Sequence, residues 1–354
     1  GAAFNTQIYL YPPSGGDAEA AGFAGNDRLE AVLLLTGTYT VVIEDFGNND
    51  AGSYGATFMN LTAGPLTSVS DPDGGTIASA EVKAAAFTTA PDFDAWHFTG
   101  TNGDRVLIAA TNTSAGAQNT LVYLYPPTGD PVIQSNIDRI EFRLTATGTW
   151  TIVVEDSGLN DLGPYNVSLL NVTAGPLTNG ADPDGGAIVS AEVRSGQMNQ
   201  AADFDAYTFA GTAGDRMLFA SVATSGGPFN TQIYIYPPSG GVAEVAGFAG
   251  ADRLDASLLL TGVYTVVIED FGNNDAGSYA ATFMNLTAGP LTSVSDPDGG
   301  ALVMPASTSG QISPAPDFDA YRFSGSIGDT VHVSAVTASG LLNTNISIYR
   351  STGP

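Results

Sequence analysis

The chain is built from an internal repeat. The string Asp-Pro-Asp-Gly-Gly occurs at Asp71–Gly75, Asp182–Gly186 and Asp296–Gly300. A second string, Glu-Asp-x-Gly-x-Asn-Asp-x-Gly-x-Tyr, begins at Glu44, Glu155 and Glu269. Copies of each string are 111 or 114 residues apart. One unit is therefore about 112 residues long, the size of a single β-sandwich domain.

These strings divide the chain into four parts. Residues 71–181 and 182–295 are complete repeats, residues 1–70 are the C-terminal part of a repeat, and residues 296–354 are the N-terminal part of another. Residues 3–76 and 228–301 are nearly identical, and differ at positions such as Gly55 and Ala280. The middle repeat is more divergent. A two-repeat unit that was duplicated recently is typical of a long repetitive polypeptide rather than of an enzyme.

The composition predicts an all-β fold. Short bursts of Val, Ile, Thr, Tyr and Phe alternate with turn residues, among them 43 Gly and 20 Pro. The stretch Trp150–Val154 is apolar on both faces, which predicts a central strand. We expect tandem antiparallel β-sandwich domains of the jelly-roll type. For the first complete repeat, eight strands are predicted: Ile77–Val82, Ala95–Thr99, Arg105–Thr111, Thr120–Tyr125, Val132–Ser135, Glu141–Ala146, Thr149–Glu155 and Tyr165–Asn171.

The order of the short motifs resembles a known family. Asp-x-Asp-x-Tyr-x-Phe is followed by Gly-Asp-Arg-Val, Leu-Tyr-x-Pro-x-Gly, Gly-x-Tyr-Thr-Val-x-Val-Glu-Asp and Gly-x-Tyr. This order is similar to the bacterial pre-peptidase C-terminal domain, and the resemblance covers essentially the whole chain. It implies a jelly-roll-like β-sandwich on a secreted or cell-surface prokaryotic protein, often in tandem and often beside a peptidase.

The charge balance limits the partners. Acidic residues number 36 against 10 basic ones, which gives a formal charge of −26. Nucleic acid and anionic lipid are polyanions, so neither is expected to bind. The longest apolar run, Ala31–Leu35, is far too short to span a bilayer, so no membrane insertion is expected. With no cysteine, stability must come from apolar cores and from bound metal rather than from disulfides.

Catalysis is not predicted. The only histidines are His97 and His332, and neither recurs at the equivalent positions of the other repeats. No Ser-His-Asp or Cys-His arrangement and no phosphate-binding glycine loop is recognisable.

Acidic loops are the candidate calcium sites, because Ca²⁺ takes six to eight oxygen ligands from flexible loops. The first candidate is the hairpin that follows the Glu-Asp string. Alternatively, this hairpin is a solvated turn in which Asn, Asp and Gly supply left-handed backbone geometry. Its candidate ligands are Asp45, Asn49, Asp50, Asp156, Asn160, Asp161, Asp270, Asn274 and Asp275.

The second candidate is the junction between repeats. The Asp-Pro-Asp-Gly-Gly string and a following Asp-Phe-Asp pair would form a calcium site that locks adjacent domains together; the alternative is a plain turn. In the Asp-Phe-Asp pair the two carboxylates are two residues apart, so they face the same side of a strand. The candidate ligands are Asp71, Asp73, Asp92, Asp94, Asp182, Asp184, Asp203, Asp205, Asp296, Asp298, Asp317 and Asp319.

Two weaker surface features remain. Three Asn-x-Ser/Thr sequons recur in register, at Asn60, Asn171 and Asn285, and are candidate glycosylation sites. The tyrosines of the Tyr9/Tyr11 pair and their copies are candidates for a polysaccharide-stacking platform, although packing in cores and edges is their commoner use.

Two classes of function remain open. The first is a structural protein of an extracellular or cell-surface fibre, filament or stalk, stiffened by calcium and self-associating. In this class, one chain completes the sandwich of its neighbour, or alternatively the polypeptide simply continues. The second is an array of accessory modules that attach a secreted peptidase or adhesin to polysaccharide or protein.

Overall fold

The computed structural model describes residues 5–22, 28–129, 131, 133–135, 139–225, 227–247 and 253–350. The regular elements of this part are all β-strands, and none of its residues belongs to a helix that could cross a membrane. The predicted all-β class is confirmed. The chain divides into two compact units. The first spans the described residues up to Asn179, with Ala201–Asp203 and Gly272–Asn274, and the second spans the remainder.

The first unit contains a three-stranded sheet, a four-stranded sheet and a five-stranded sheet. Their strand orders are β2-β1-β3, β10-β7-β12-β5 and β4-β6-β11-β8-β9. All neighbours are antiparallel except β4 and β6. The strands are β1 Thr6–Tyr11, β2 Ala20–Gly22, β3 Thr40–Asp45, β4 Gly75–Thr76, β5 Glu81–Phe87, β6 Phe93–Gly100, β7 Arg105–Asn112, β8 Thr120–Tyr125, β9 Ile133–Ser135, β10 Arg139–Arg143, β11 Gly148–Asp156 and β12 Gly163–Asn171.

The four- and five-stranded sheets pack face to face around one core. Alternate residues of each strand point into it, because the side chains of a strand alternate between its two faces. Trp150 and Ile152 of β11 meet Ile108 of β7 and Val167 of β12 there. The predicted central strand is confirmed, since β11 lies in the middle of its sheet. Its intervening residue, Val153, packs on the outer face of that sheet.

The second unit repeats this sandwich. A five-stranded sheet has the order β13-β15-β20-β17-β18, a four-stranded sheet has the order β14-β21-β16-β19, and a short parallel pair is formed by β22 and β23. The strands are β13 Gly185–Ala187, β14 Glu192–Met198, β15 Phe204–Gly211, β16 Arg216–Ala223, β17 Thr231–Tyr236, β18 Val245–Gly247, β19 Arg253–Ser257, β20 Gly262–Asp270, β21 Gly277–Asn285, β22 Gly300–Ala301 and β23 Tyr321–Arg322.

The predicted strand Ile77–Val82 is wrong. The chain instead leaves the five-stranded sheet after β4 and enters the four-stranded sheet at β5. A turn makes this crossing, in which Ala80 has a positive φ of 62° and donates its N–H to Leu169 O. Apolar residues at the crossing fill the end of the core, which imitates the pattern of a strand. Of the other predicted strands, Thr120–Tyr125 has the observed bounds, and Val132 lies outside the described residues.

Candidate metal centre

The hairpin acids are organised as turns. Asp45 ends β3, and its Oδ2 accepts the backbone N–H groups of Asn49 and Asp50 at 3.0 and 3.1 Å. Its Oδ1 accepts the N–H of Asn5. The hydrogen bond from Asn49 is the main reason that the pKa of Asp45 lies below its ordinary value. Left-handed geometry occurs at Asn48, with a φ of 54°.

The next repeat has the same arrangement. Asp156 Oδ2 accepts the N–H groups of Gly158, Asn160 and Asp161, and its Oδ1 accepts that of Asn119. Burial raises the pKa of Asp156, but the four backbone donors outweigh burial, so the pKa lies below its ordinary value.

In the third hairpin, Asp270 accepts the backbone N–H groups of Asn230 and Asp275. Among the described residues, the groups of three acids that could share a metal ion contain no hairpin residue. The turn interpretation accounts for these hairpin contacts. Metal binding by Asn49, Asp50, Asn160, Asp161, Asn274 and Asp275 stays a prediction.

The junction acids, in contrast, come together. In each group, three carboxylates each offer an oxygen, and these oxygens lie within 4.8 Å of one another. The three groups occupy equivalent positions of the repeat: Asp71, Asp92 and Asp94; Asp182, Asp203 and Asp205; and Asp296, Asp317 and Asp319.

The first group is built by the entrance to the five-stranded sheet. Asp94 lies in β6 and Asp92 directly precedes it, so the two carboxylates share one face of the strand as predicted. Asp71 lies in the segment that leads into β4, which pairs with β6. Asp92 Oδ2 accepts the N–H of Thr88 at 2.8 Å.

Asp94 is the residue at which the need for a counter-charge is greatest. Its side chain is 0 % exposed. Tyr165 donates a hydrogen bond of 2.5 Å to its Oδ2, whereas Oδ1 is buried without a hydrogen-bond donor. Burial, followed by the charges of Asp92 and Asp71, raises the pKa of Asp94 to about 8, against the opposing effect of Tyr165. A carboxylate in such a place is costly unless a cation compensates it.

The third group, in the second unit, behaves in the same way. Asp319 Oδ1 is buried without a donor. Burial and the charge of Asp317, followed by those of Asp296 and Asp298, raise the pKa of Asp319 to about 6. Asp317 accepts the N–H groups of Ser313 and Phe318, both at 2.8 Å. The same electrostatic stress therefore recurs where the sequence motif recurs.

The middle acid of the Asp-Pro-Asp string has a different task. Asp73 Oδ2 accepts the N–H of Ala86 in β5 at 2.9 Å. Asp184 and Asp298 make the same contact with Gln197 and Gln311. These three predicted ligands hold the string against the neighbouring strand and stay outside the groups of three, although their charge acts on them.

The oxygen-only donor set fits a hard cation. Carboxylate, carbonyl and water oxygens are the ligands of Ca²⁺ and Mg²⁺, whereas zinc and copper sites use nitrogen and sulfur. Three carboxylates supply part of the coordination shell of Ca²⁺, and carbonyl and water oxygens complete such shells in proteins.

Sequence reasoning missed Tyr165, which reaches Asp94 from the opposite sheet. The available signal was the recurrence of Gly-x-Tyr at Tyr54, Tyr165 and Tyr279.

The recurring sequons are explained by turns. Asn171 is buried, its Nδ2 donates to Asp104 Oδ2 at 3.0 Å, and its Oδ1 accepts the N–H groups of Thr173 and Ala174. Asn285 makes the same contacts, with Asp215 as the acceptor. A glycan on either residue would need the buried nitrogen, so glycosylation of Asn171 and Asn285 is wrong.

Asn60 is exposed, and its Oδ1 forms the same turn with Thr62 and Ala63. The shared turn is a sufficient reason for its recurrence, and glycosylation there stays a prediction.

The tyrosine pair of the first complete repeat is part of a core. Tyr123 and Tyr125 are buried in a cluster with Leu66, Leu121 and Val153. Their rings are unavailable as a polysaccharide platform.

Contacts between consecutive repeats recur within both units. In the first unit, Arg28 donates to the hydroxyl of Tyr125 at 2.7 Å. In the second, the equivalent Arg253 donates to the hydroxyl of Tyr349 at 2.8 Å.

The connecting segment is also held by hydrogen bonds. His97 Nε2 lies 2.9 Å from Leu61 O, and Arg322, in the equivalent slot, donates to Leu286 O at 3.0 Å. Each partial repeat thus packs against the next repeat in a repeated manner.

No protein-family model and no curated protein matches the chain. Solved structures similar to it are small β-sandwich domains at low identity. PliG of Aeromonas hydrophila, a periplasmic inhibitor of g-type lysozyme, is 15 % identical over 28 % of this chain and 96 % of its own length, with a TM-score of 0.24. The pre-peptidase C-terminal domain of Bacillus anthracis collagenase is 16 % identical over 28 % and 94 %, with a TM-score of 0.24.

The CUB1-EGF-CUB2 segment of rat MASP-1 covers more of the chain. It is 6 % identical over 59 % of this chain and 99 % of its own length, with a TM-score of 0.20. Likenesses of this size carry no argument about function. The β-sandwich assignment rests on the two packed sheets of each unit.

Proposed function

We propose that this chain is a structural array of an extracellular or cell-surface fibre or stalk, in which each repeat binds Ca²⁺ at its junction acids. One observation carries the proposal. Asp94 is fully buried beside Asp92 and Asp71, and its Oδ1 has no donor. A divalent cation supplies the missing counter-charge, and an equivalent group is present at each junction string.

The position of the group explains how a cation would stiffen the array. Leu66 packs on the outer face of the five-stranded sheet, and five residues later Asp71 contributes its carboxylate. Asp71 O also accepts the N–H of Ser68 at 2.6 Å. A cation shared by Asp71, Asp92 and Asp94 would tie the segment that enters from the preceding repeat to β6 of the next one.

Recurring contacts support stacking of repeats. The Arg28–Tyr125 and Arg253–Tyr349 hydrogen bonds join equivalent residues of consecutive repeats within each unit. An array in which neighbours meet through one repeated contact behaves as a quasi-one-dimensional structure, and its stability is a sum of repeat and interface contributions.

Isothermal titration calorimetry of the whole chain tests the proposal. We expect uptake of up to three Ca²⁺ ions per chain, and weaker uptake of Mg²⁺, whose smaller octahedral shell suits a site crowded with carboxylates less well. Calcium at 100 times its Kd would stabilise a repeat by about 2.7 kcal/mol. Absence of binding heat, together with a melting temperature that a chelator leaves unchanged, would refute the calcium site.

Electron microscopy of native material tests the structural role. We expect regular filaments that fray when calcium is removed. Isolated short rods that are indifferent to a chelator would contradict the fibre.

A further inference from the structure

The partial repeat at the start of the described chain presents a bare core face. Tyr54 is 57 % exposed, whereas the equivalent Tyr279 in the complete repeat is 1 % exposed. Phe58 is 66 % exposed, whereas Phe283 is 3 % exposed. The local sequences are the same apart from one residue, so the difference lies in what covers them and not in what they are.

The secondary structure differs in the same place. Residues 277–285 form β21, which pairs with β14 on one side and β16 on the other. Residues 52–60 have the same sequence except that Gly55 replaces Ala280, yet they form no strand. A strand needs a partner for its backbone N–H and C=O groups. The segment thus has the sequence of a central strand and lacks its two neighbours.

The complete repeat shows which strands belong there. Residues equivalent to β14 and β16 occur again at 306–312 and 330–337, in the partial repeat of the second unit. The hydrogen bond from Gln311 to Asp298 reproduces the bond from Gln197 to Asp184, which fixes this alignment.

Residues 306–337 present the matching bare face. Val333 is 47 % exposed, whereas its equivalent Phe219 is fully buried, and Ile312 is 37 % exposed against 0 % for Met198. The two partial repeats thus expose complementary halves of one sandwich.

We infer that residues 298–337 of a second copy of this chain cover the face formed by β1, β3 and residues 52–60, and complete the sandwich. Residues 306–312 and 330–337 of that copy flank residues 52–60 as β14 and β16 flank β21. Strand addition of this kind supplies main-chain hydrogen bonds together with core packing. The contact is head-to-tail, so it generates an open chain of subunits. The inference deepens the self-association within the proposed structural role.

The register of the contact follows from the complete repeat. Ala281 in β21 lies opposite Ser221 in β16. The equivalent residues are Ala56 and Ala335. Directly opposed residues of an antiparallel pair have Cα atoms about 4.5–5.5 Å apart, which is within disulfide range.

Disulfide trapping tests the register, and the absence of cysteine makes it clean. Two single variants, Ala56→Cys and Ala335→Cys, are mixed at raised ionic strength, which screens the repulsion between acidic chains, and are then oxidised mildly. We expect a covalent dimer of the two variants, and a ladder of polymers from the double variant. The control pair replaces Ala56→Cys by Ala51→Cys, an exposed position in the loop that precedes residues 52–60.

The outcomes separate this inference from the calcium proposal, because the trapping is performed with calcium and with a chelator. Cross-linking in both conditions supports the inference, whatever calorimetry shows for calcium. A mixture that cross-links no more than the control pair overturns it, as does a double variant that yields only an internally cross-linked monomer. Circular dichroism and sedimentation of each single variant verify that the substitutions leave the β-sandwiches folded.

Discussion

The hydroxyl of Tyr165 donates a 2.5 Å hydrogen bond to Asp94 across the interior of the first complete sandwich. The two residues lie in opposite sheets, in β12 and β6. Both are 0 % exposed. Burial and the nearby charge of Asp94 raise the pKa of Tyr165 well above its ordinary value, so the phenol keeps its proton and stays a donor. This bond joins the two sheets at the acid group.

We expect Tyr165→Phe to lower the free energy of unfolding of this repeat by roughly 1–3 kcal/mol, because a buried acceptor loses its donor. Tryptophan fluorescence isolates the effect, since the only two tryptophans, Trp96 and Trp150, both lie in this repeat. Tyr54→Phe is the matched control. It changes an equivalent but exposed tyrosine and should alter stability by less than about 0.5 kcal/mol. Equal effects of the two substitutions would contradict the assignment.

Asp94→Asn separates a metal ligand from a structural carboxylate. Without calcium, the variant should be at least as stable as the wild type, because a neutral amide of the same shape replaces a buried charge without a counter-ion. With calcium, the wild type should gain stability, while the variant gains little at this repeat. Thermal unfolding followed by tryptophan fluorescence, with and without calcium, measures both quantities.

The control for Asp94→Asn is Asp17→Asn, an equal change of charge at an exposed position. It should leave the calcium-dependent gain unchanged. A variant of Asp94 that retains the full gain would remove this residue from the site.

Local pattern was sufficient for most of the fold. The bounds of β8 follow from a run of apolar residues that ends at Tyr125-Pro126, because proline cannot donate to a ladder. Failure came at Ile77–Val82, where the chain changes sheets. A positive φ at Ala80 is held there by a long-range bond to Leu169, and nothing in the local sequence announces it.

The site was predictable only as far as local geometry reaches. The spacing of Asp92 and Asp94 indicates a shared face, which the structure has. Three backbone N–H groups satisfy Asp45, and one from Ala86 engages Asp73, and a count of carboxylates cannot reveal such bonds. Burial separates these acids from Asp94, and burial depends on the whole sandwich.

Asp156 provides a prediction about pH. The folded pKa of Asp156 lies below its unfolded value of about 3.9. Its stabilising contribution is therefore fully present above that unfolded value, and is lost as the pH falls through the folded pKa. At pH 7 we expect Asp156→Ala to destabilise the repeat by roughly 1–3 kcal/mol, because four backbone N–H groups lose their acceptor.

Urea unfolding of the wild type and Asp156→Ala at a series of pH values measures this difference. The two proteins should converge as the pH falls below the folded pKa of Asp156. A difference that stays constant down to the lowest pH would show that the side chain acts through packing rather than through its charge.

Arg28 provides a prediction about the contact between consecutive repeats. Its Nε donates to Glu155 at 2.9 Å, and its guanidinium lies 3.9 Å from the ring centroid of Tyr123. Burial raises the pKa of Glu155, and the charge of Arg28 opposes that rise. Arg28→Ala would leave the carboxylate of Glu155 buried without this cation. We expect a loss of roughly 1–3 kcal/mol, seen by tryptophan fluorescence although neither tryptophan belongs to the preceding partial repeat.

Arg28→Lys tests which property of the arginine matters. A lysine keeps the charge but lacks the planar fork that bonds Glu155 and Tyr125 together, so it should restore only part of the loss. The double variant Arg28→Ala/Glu155→Gln should recover most of it, because no buried charge then remains uncompensated. If Arg28→Ala left the tryptophan-detected transition unmoved, the partial repeat would contribute nothing to the stability of its neighbour, and the quasi-one-dimensional description of the array would be wrong.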